Sequence, residues 1–89
     1  MPSFLRTSVR AGSYHDSVVL MRLQRALAAL PGVLDAGVVM ATAANREILA
    51  ASGLRSEQGE AAGAGDLLIA VRGTTEDAAA EALAQVDAL

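Results

Sequence analysis

The feature that most constrains the fold is a short apolar run near the C-terminal end, Leu67-Leu68-Ile69-Ala70-Val71. An unbroken run of this length is typical of a strand that is covered on both faces or lies centrally in a sheet. Phe4–Arg10 differs because apolar and polar residues alternate along it, with Leu5 and Val9 on one side. Such alternation indicates a half-buried strand. The two patterns together predict a sheet with one strongly buried member.

A helical pattern follows the first strand. Gly12 ends the strand, and Ser13 with Asp16 three residues later predicts a capped helix start. Pro31 ends the pattern. The apolar stripe of this helix recurs at spacings of three, four and three residues, and it consists of Leu20, Leu23, Leu27 and Leu30. We therefore expect an amphipathic helix that packs on the sheet through its leucines.

A second strand and a short helix are predicted next. Residues 33–41 read as a strand whose far end is buried on both faces. Thr42 is a natural N-cap for a helix that continues through Ser52. Gly53 stands just past the helix, where a left-handed backbone conformation is common.

Arg55–Gly65 shows no periodicity, and its Gly-, Ala- and Glu-rich composition offers little apolar surface to bury. We expect a flexible surface loop at residues 55–65. Its glycines do not form a phosphate-binding loop, because they precede a strand and lack the Lys-Ser/Thr ending.

The last pattern is helical and completes the fold prediction. Thr74 with Asp77 repeats the capping arrangement and predicts a helix over Glu76–Leu89. The element order is then βαβαβα. It predicts a single α/β domain over residues 1–89, a small sandwich with a three-stranded sheet, right-handed crossovers and helices packed on the sheet. So narrow a sheet leaves two unpaired edges, which predicts pairing with another domain, another chain or a second copy.

The composition excludes several classes of protein. A net charge of −3 and a pI near 4.9 argue against a nucleic-acid partner. The absence of cysteine excludes disulfides, zinc-thiolate sites and thiol catalysis. The apolar runs fall short of the roughly 18 residues that span a bilayer, and the N-terminus lacks the order of a signal peptide. We expect a soluble cytoplasmic protein with no membrane partner.

Four polar residues are the candidate contacts for a partner or ligand: Asp16, Ser17, Thr42 and Asn45. Asp16 and Ser17 lie at a predicted helix start, where free backbone N–H groups could receive an anion. Capping is favoured, because the Asp16 carboxylate would occupy the same donors, and the same comparison applies to Thr42. The Asn45 amide has both donors and acceptors to direct elsewhere, either to a neighbouring loop or to a partner.

His15 is the only histidine of the chain. It lies at the predicted helix start with no second ligand or base within sequence reach, so an exposed first-turn residue is favoured over a catalyst. The scattered carboxylates show no pairing at metal-binding or acid–base spacing. The residues therefore predict no catalytic, cofactor-binding or metal-binding site in this chain.

Two segments carry a resemblance to a known family. They read AGSYHDSVVLM at residues 11–21 and MATAANREIL at residues 40–49. Together they resemble the N-terminal domain of FdrA-type proteins, which look like acyl-CoA synthetases of the succinyl-CoA synthetase alpha-subunit kind. The similarity covers most of the chain. Ala41 departs from the pattern, which has a glycine between the methionine and the threonine.

The resemblance implies a function that the residues alone do not. In that family a domain of this kind precedes a CoA-binding domain and a ligase domain, and some members are associated with carbamoyl transfer from oxamate. It implies a non-catalytic accessory or assembly domain or subunit of an acyl-CoA synthetase-type enzyme. CoA would then be held by a CoA-binding or ligase-like partner in a homo- or hetero-oligomer, with no cofactor bound by this chain. The alternative is a stand-alone regulatory module that binds a small metabolite at a homodimer interface.

Overall fold

A computed structural model of the chain describes residues 3–13 and 15–88. Within these ranges the chain forms, in order, β1 (Phe4–Arg10), α1 (Ser17–Ala28), β2 (Val33–Met40), α2 (Ala43–Ala51), α3 (Glu57–Glu60), β3 (Leu67–Gly73) and α4 (Glu76–Ala84). A 3-10 helix over Val86–Ala88, the C-terminal turn, follows α4. The predicted α/β class with helices packed on a three-stranded sheet is confirmed. In the same ranges, no helix is long and apolar enough to cross a membrane.

The sheet has the order β1-β3-β2, and both outer strands run antiparallel to β3. β1 and β2 are therefore parallel to each other, with α1 connecting them across β3, which is a split βαβ unit. The central strand is the apolar run of the sequence, and none of Leu67–Val71 is more than 2% exposed. The prediction of a strand covered on both faces is confirmed.

Two layers of helices cover the two faces of β3. One hydrophobic cluster joins α1 and α4 to the sheet, and its most deeply buried members are Leu27, Ile69, Val71 and Ala79. The other joins α2 and the segment around α3 to the opposite face, and it consists of Ala41, Leu49, Leu54, Ala62, Leu68 and Ala70. Each fully buried large aliphatic side chain stabilises the fold by about 1.5–3 kcal/mol, so a core nearly free of aromatics still suffices.

The start of α1 differs from the prediction. The helix begins at Ser17, and Asp16 is its N-cap, with its Oδ1 accepting from the Val18 amide at 2.9 Å. The assignment of Ser13 as the cap is wrong because the helix starts later: the Ser13 hydroxyl lies beside His15 Nε2, and its amide donates to the Arg10 carbonyl in the turn that ends β1. Ser13, His15 and Asp16 lie between that turn and α1, and Tyr14 lies outside the described residues.

The segment predicted as a loop contains a short helix. The expectation of no regular structure is wrong at residues 57–60, where α3 forms with Ser56 as its N-cap; the Ser56 Oγ accepts from the Gly59 amide at 3.0 Å. Leu54 and Ala62 flank this helix and are buried against the sheet. A helix of four residues is too short to show periodicity, which is why the sequence pattern did not reveal it.

The last helix also differs in its bounds. α4 is capped by Thr75, whose Oγ1 accepts from the Ala78 amide at 3.0 Å, rather than by Thr74. It ends at Ala84, and the chain then tightens into the C-terminal turn. Leu89, the predicted last helical residue, lies outside the described residues.

Gly73 lies at the end of β3, where no side chain fits. A Cβ there would lie 2.9 Å from both the Ala79 nitrogen and the Thr75 oxygen. Both obstacles are backbone atoms, so we expect Gly73→Ala to lower the free energy of unfolding by about 1–3 kcal/mol, the usual cost of overpacking. Urea denaturation measures it. Gly65→Ala is the matched control, because a Cβ at Gly65 meets open space. Equal stability of the two variants would show that α4 can shift away from β3.

Candidate functional site

One open cavity of about 350 Å³ is lined by residues from separate parts of the chain, among them a histidine and two methionines. The sequence has one histidine, three methionines and no cysteine. Within residues 3–13 and 15–88 the histidine and both methionines, His15, Met21 and Met40, are among the residues that line this cavity. We call it the donor cavity. Its other lining residues are Ser17, Leu20, Gln24, Val38, Val39 and Asn45.

Three different elements supply the three donor side chains. His15 lies in the loop before α1, Met21 lies in α1, and Met40 is the last residue of β2. The end of β2 and the start of α1 are brought to the same edge of the domain because α1 packs along β2. Met40 and Leu20 both pack in the first hydrophobic cluster, which anchors this wall of the cavity.

A hydrogen bond restrains the imidazole. His15 Nε2 lies 3.1 Å from the Ser13 hydroxyl. When Nε2 carries the proton and donates to Ser13, the lone pair is on Nδ1, which is then the nitrogen free to coordinate a metal. Hydrogen bonds of this kind orient metal-binding imidazoles. His15 is exposed, as the sequence predicted.

The Asn45 amide holds the other end of the cavity. Its Nδ2 donates to the Met40 carbonyl at 2.8 Å, which ties the start of α2 to the end of β2. Its backbone amide donates to Thr42 Oγ1 at 3.2 Å, so Thr42 is the N-cap of α2, as predicted. Met40 is half-buried, whereas the Met21 side chain is 59% exposed.

The structure separates the four predicted contact residues into two pairs. Ser17 and Asn45 line the donor cavity, whereas Asp16 and Thr42 use their side-chain oxygens to cap α1 and α2. Contact of any of the four with a partner stays a prediction. The sequence analysis did not select Met21 or Met40 as site residues. Their positions in the chain carry no spacing signal, because the fold alone brings them together.

The donor set determines which metal ions could bind here. Among the described residues, no three His, Cys, Asp or Glu side chains are grouped as metal ligands. The tetrahedral thiolate sites that hold structural zinc do not fit a chain without cysteine. Two thioethers and one imidazole do fit a soft ion such as Cu(I).

A larger cleft of about 530 Å³ lies between α1 and the C-terminal turn. His15 also borders it, together with Arg10, Arg22 and Asp87. Arg10 is ion-paired with Asp87 at 2.5 Å. This cleft adds no sulfur donor to His15, so it offers less than the donor cavity for binding a soft ion.

A carboxylate clamp holds the loop that carries His15. The two Asp66 carboxylate oxygens accept from the Gly12 amide at 3.1 Å and from the Gly63 amide at 3.0 Å. The hydrogen bonds from Gly63 and Gly12 hold the pKa of Asp66 below its ordinary value. The clamp therefore joins the loop before α1 to the turn before β3.

The split βαβ sheet with helices packed on it defines a ferredoxin-like domain of the heavy-metal-associated type. The family model of the AllF heavy metal-associated domain matches residues 1–89, and the chain belongs to that family. No curated protein and no solved structure matches the chain.

This membership corrects the functional interpretation of the sequence. The resemblance to the N-terminal domain of FdrA-type proteins is wrong, and so is the function of an acyl-CoA synthetase accessory domain or a metabolite-binding regulatory module. The residues that carried the resemblance are largely caps, turns and core positions, such as Asp16, Thr42 and Ala70. Residues at such positions determine how the chain folds, and they carry little information on what it binds. The family match does not test the expected CoA-binding partner or the absence of a bound cofactor.

We expect the Asp66 clamp to make the free energy of unfolding depend on pH. Because the pKa of Asp66 is lower in the folded protein, the clamp contributes stability above the ordinary aspartate pKa of about 3.9 and loses it as pH falls through the folded value. Asp66→Asn should therefore unfold more easily than wild type at neutral pH, with the difference shrinking below about pH 4. Urea denaturation at both pH values measures this. Glu47→Gln, an exposed carboxylate in α2, is the control; a constant Asp66 difference would contradict the clamp.

Asn45→Ala tests the link between β2 and α2. The variant loses the Asn45 Nδ2 hydrogen bond to the Met40 carbonyl, while alanine gains some helix propensity. We expect the free energy of unfolding to fall by about 0.5–1 kcal/mol. Chemical denaturation measures it, with Glu47→Ala as the control on the exposed side of the same helix. Unchanged stability would mean that the amide is free to serve a partner instead.

Proposed function

We propose that this domain binds a soft monovalent metal ion of the Cu(I) class in the donor cavity. The observation that carries the proposal is the meeting of His15, Met21 and Met40 in one cavity. These are the imidazole and the thioethers of the described part of the chain, which has no cysteine to take their place. The description of the family as heavy metal-associated supports the same chemistry.

The ligand types favour this ion over the common divalent ones. Thioether sulfur is soft and neutral, and it suits Cu(I), whereas Mg²⁺ and Ca²⁺ prefer several oxygen ligands. Among the described residues no carboxylate lines the cavity, and its side-chain oxygens are those of Ser17, Gln24 and Asn45. A soft ion would therefore be selected by ligand chemistry rather than by negative charge.

The exposure of the ligands favours reversible binding. Met40 is half-buried and its carbonyl is held by Asn45, so it supplies the fixed side of the site. Met21 is 59% exposed, and a methionine side chain has three rotatable bonds with which to adjust to an ion. His15 lies on the loop that Asp66 clamps at Gly12. A site with one fixed and two accessible ligands suits an ion that is taken up and passed on.

An anaerobic titration with Cu(I) against a competing chelator tests the proposal. We expect one ion per chain, and we expect Met21→Leu, Met40→Leu and His15→Gln each to weaken binding by about tenfold or more. Losing even a hydrogen-bond partner of a metal ligand costs about 10–100-fold in affinity. Leucine keeps the volume of methionine, so the fold should tolerate both changes. Ile48→Leu is the matched control, because Ile48 is as exposed as Met21 and does not line the cavity.

Two results would overturn the proposal. One is an absence of Cu(I) binding by the folded wild-type chain, which would also agree with the expectation that this chain binds no cofactor. The other is binding that survives in the combined Met21→Leu, Met40→Leu variant, because the ion would then be held elsewhere. Thermal melting of each variant separates loss of a ligand from loss of the fold.

A further inference from the structure

The two outer strands of the sheet are protected to different degrees. At the β2 edge, the Gln24 side chain of α1 accepts a hydrogen bond from the Val38 amide at 3.0 Å. The register of β2 against β3 also shifts between Val33 and Asp35, where Leu34 is the extra residue. Side chains that occupy backbone donors and bulges that bend a strand are both devices by which proteins block sheet edges.

In the described part of the chain, β1 has no bulge and no side chain on its outer backbone donors, although its Arg10 carbonyl accepts from the Ser13 amide and α3 packs on it. It pairs with β3 in continuous register from Phe4 to Arg10, without a bulge and without proline. The sheet order leaves its other edge without a strand in the described part of the chain. Its two charged side chains form exposed ion pairs within the chain, Arg6 with Glu76 and Arg10 with Asp87. A straight edge of this kind readily accepts another strand.

We infer that two copies of this chain pair through β1, antiparallel and edge to edge, to form one continuous sheet. A two-fold axis perpendicular to the sheet keeps the helix layers of both copies on matching sides, and it relates identical residues of the two copies. When the axis passes at Thr7, the middle of Phe4–Arg10, all seven residues of each strand find a partner. This inference does not depend on metal binding.

The side chains agree with that register. With the axis at Thr7, residues that are equally far before and after Thr7 lie opposite each other in the two copies. Leu5 therefore faces Val9 of the second copy, and Thr7 faces the Thr7 of the second copy. Leu5 and Val9 are half-buried and pack on the second hydrophobic cluster, so their pairing would extend that core across the two chains. Apolar and Thr–Thr cross-strand pairs stabilise antiparallel strands.

The arginines disfavour the neighbouring registers. Moving the axis by one residue toward either end keeps the faces matched but shortens the pairing. With the axis at Arg6, this arginine faces its own counterpart, and with the axis at Ser8 it faces Arg10 of the second copy. Like charges directly opposite each other destabilise a strand pair. With the axis at Thr7, Arg6 faces Ser8 and no arginine faces another.

A single introduced cysteine tests both the pairing and its register, because the chain has no cysteine of its own. Directly opposed residues have Cα atoms about 4.5–5.5 Å apart, within the range of about 4.4–6.8 Å that a disulfide needs. Mild oxidation of Thr7→Cys should therefore give a covalent dimer on a denaturing gel. Ser8→Cys is the matched control: in this register its two thiols are diagonal neighbours, about 7–8 Å apart, and the band should stay monomeric.

Sedimentation equilibrium of the unmodified chain provides the independent measurement, since Thr7→Cys gives up the Thr7 hydrogen bond to Ser56. A dimer that dissociates on dilution supports the inference. A monomer at every concentration overturns it, whether or not the Thr7→Cys variant folds. A dimer in which Ser8→Cys cross-links as completely as Thr7→Cys overturns the proposed register.

Discussion

The burial of β3 on both faces is the constraint on which the rest of this domain depends. Its residues from Leu67 to Val71 are at most 2% exposed, so each face of the strand needs a helical layer above it. Two helices pack on one face, and α2 with α3 packs on the other. β1 and β2 must then lie on either side of β3, and the chain can connect them only by a crossover through α1.

This arrangement also explains the position of the donor cavity. β2 follows α1 in the chain and runs back along it, so the start of the helix and the end of the strand lie at one edge of the domain. Met21 and Met40 are brought together there, and His15 joins them from the loop before α1. The same packing places the Gln24 side chain on the Val38 amide, which occupies one backbone donor of the β2 edge. The proposed metal site and this contact at the β2 edge are thus two consequences of one helix position.

The family membership shows what kinds of residue carry functional information. Caps such as Asp16 and Thr42, and core positions such as Ala70, are required wherever helices begin and strands are buried. They supported the fold prediction, but the function drawn from them was wrong. Ligand chemistry is more restrictive, because a chain without cysteine cannot form thiolate sites whatever its fold. The side chains that can coordinate an ion therefore define the function to be tested.

The sequence by itself determined the elements whose signals are local. Alternation predicted β1 over Phe4–Arg10, the unbroken apolar run predicted β3, and regular leucine spacing predicted α1, because each pattern reflects burial along a single element. Only the tertiary structure decided that Asp16 caps α1, that Leu54 and Ala62 are buried beside α3, and that His15, Met21 and Met40 line one cavity. These outcomes depend on contacts between residues far apart in the chain, and such contacts leave no periodicity for a sequence to display.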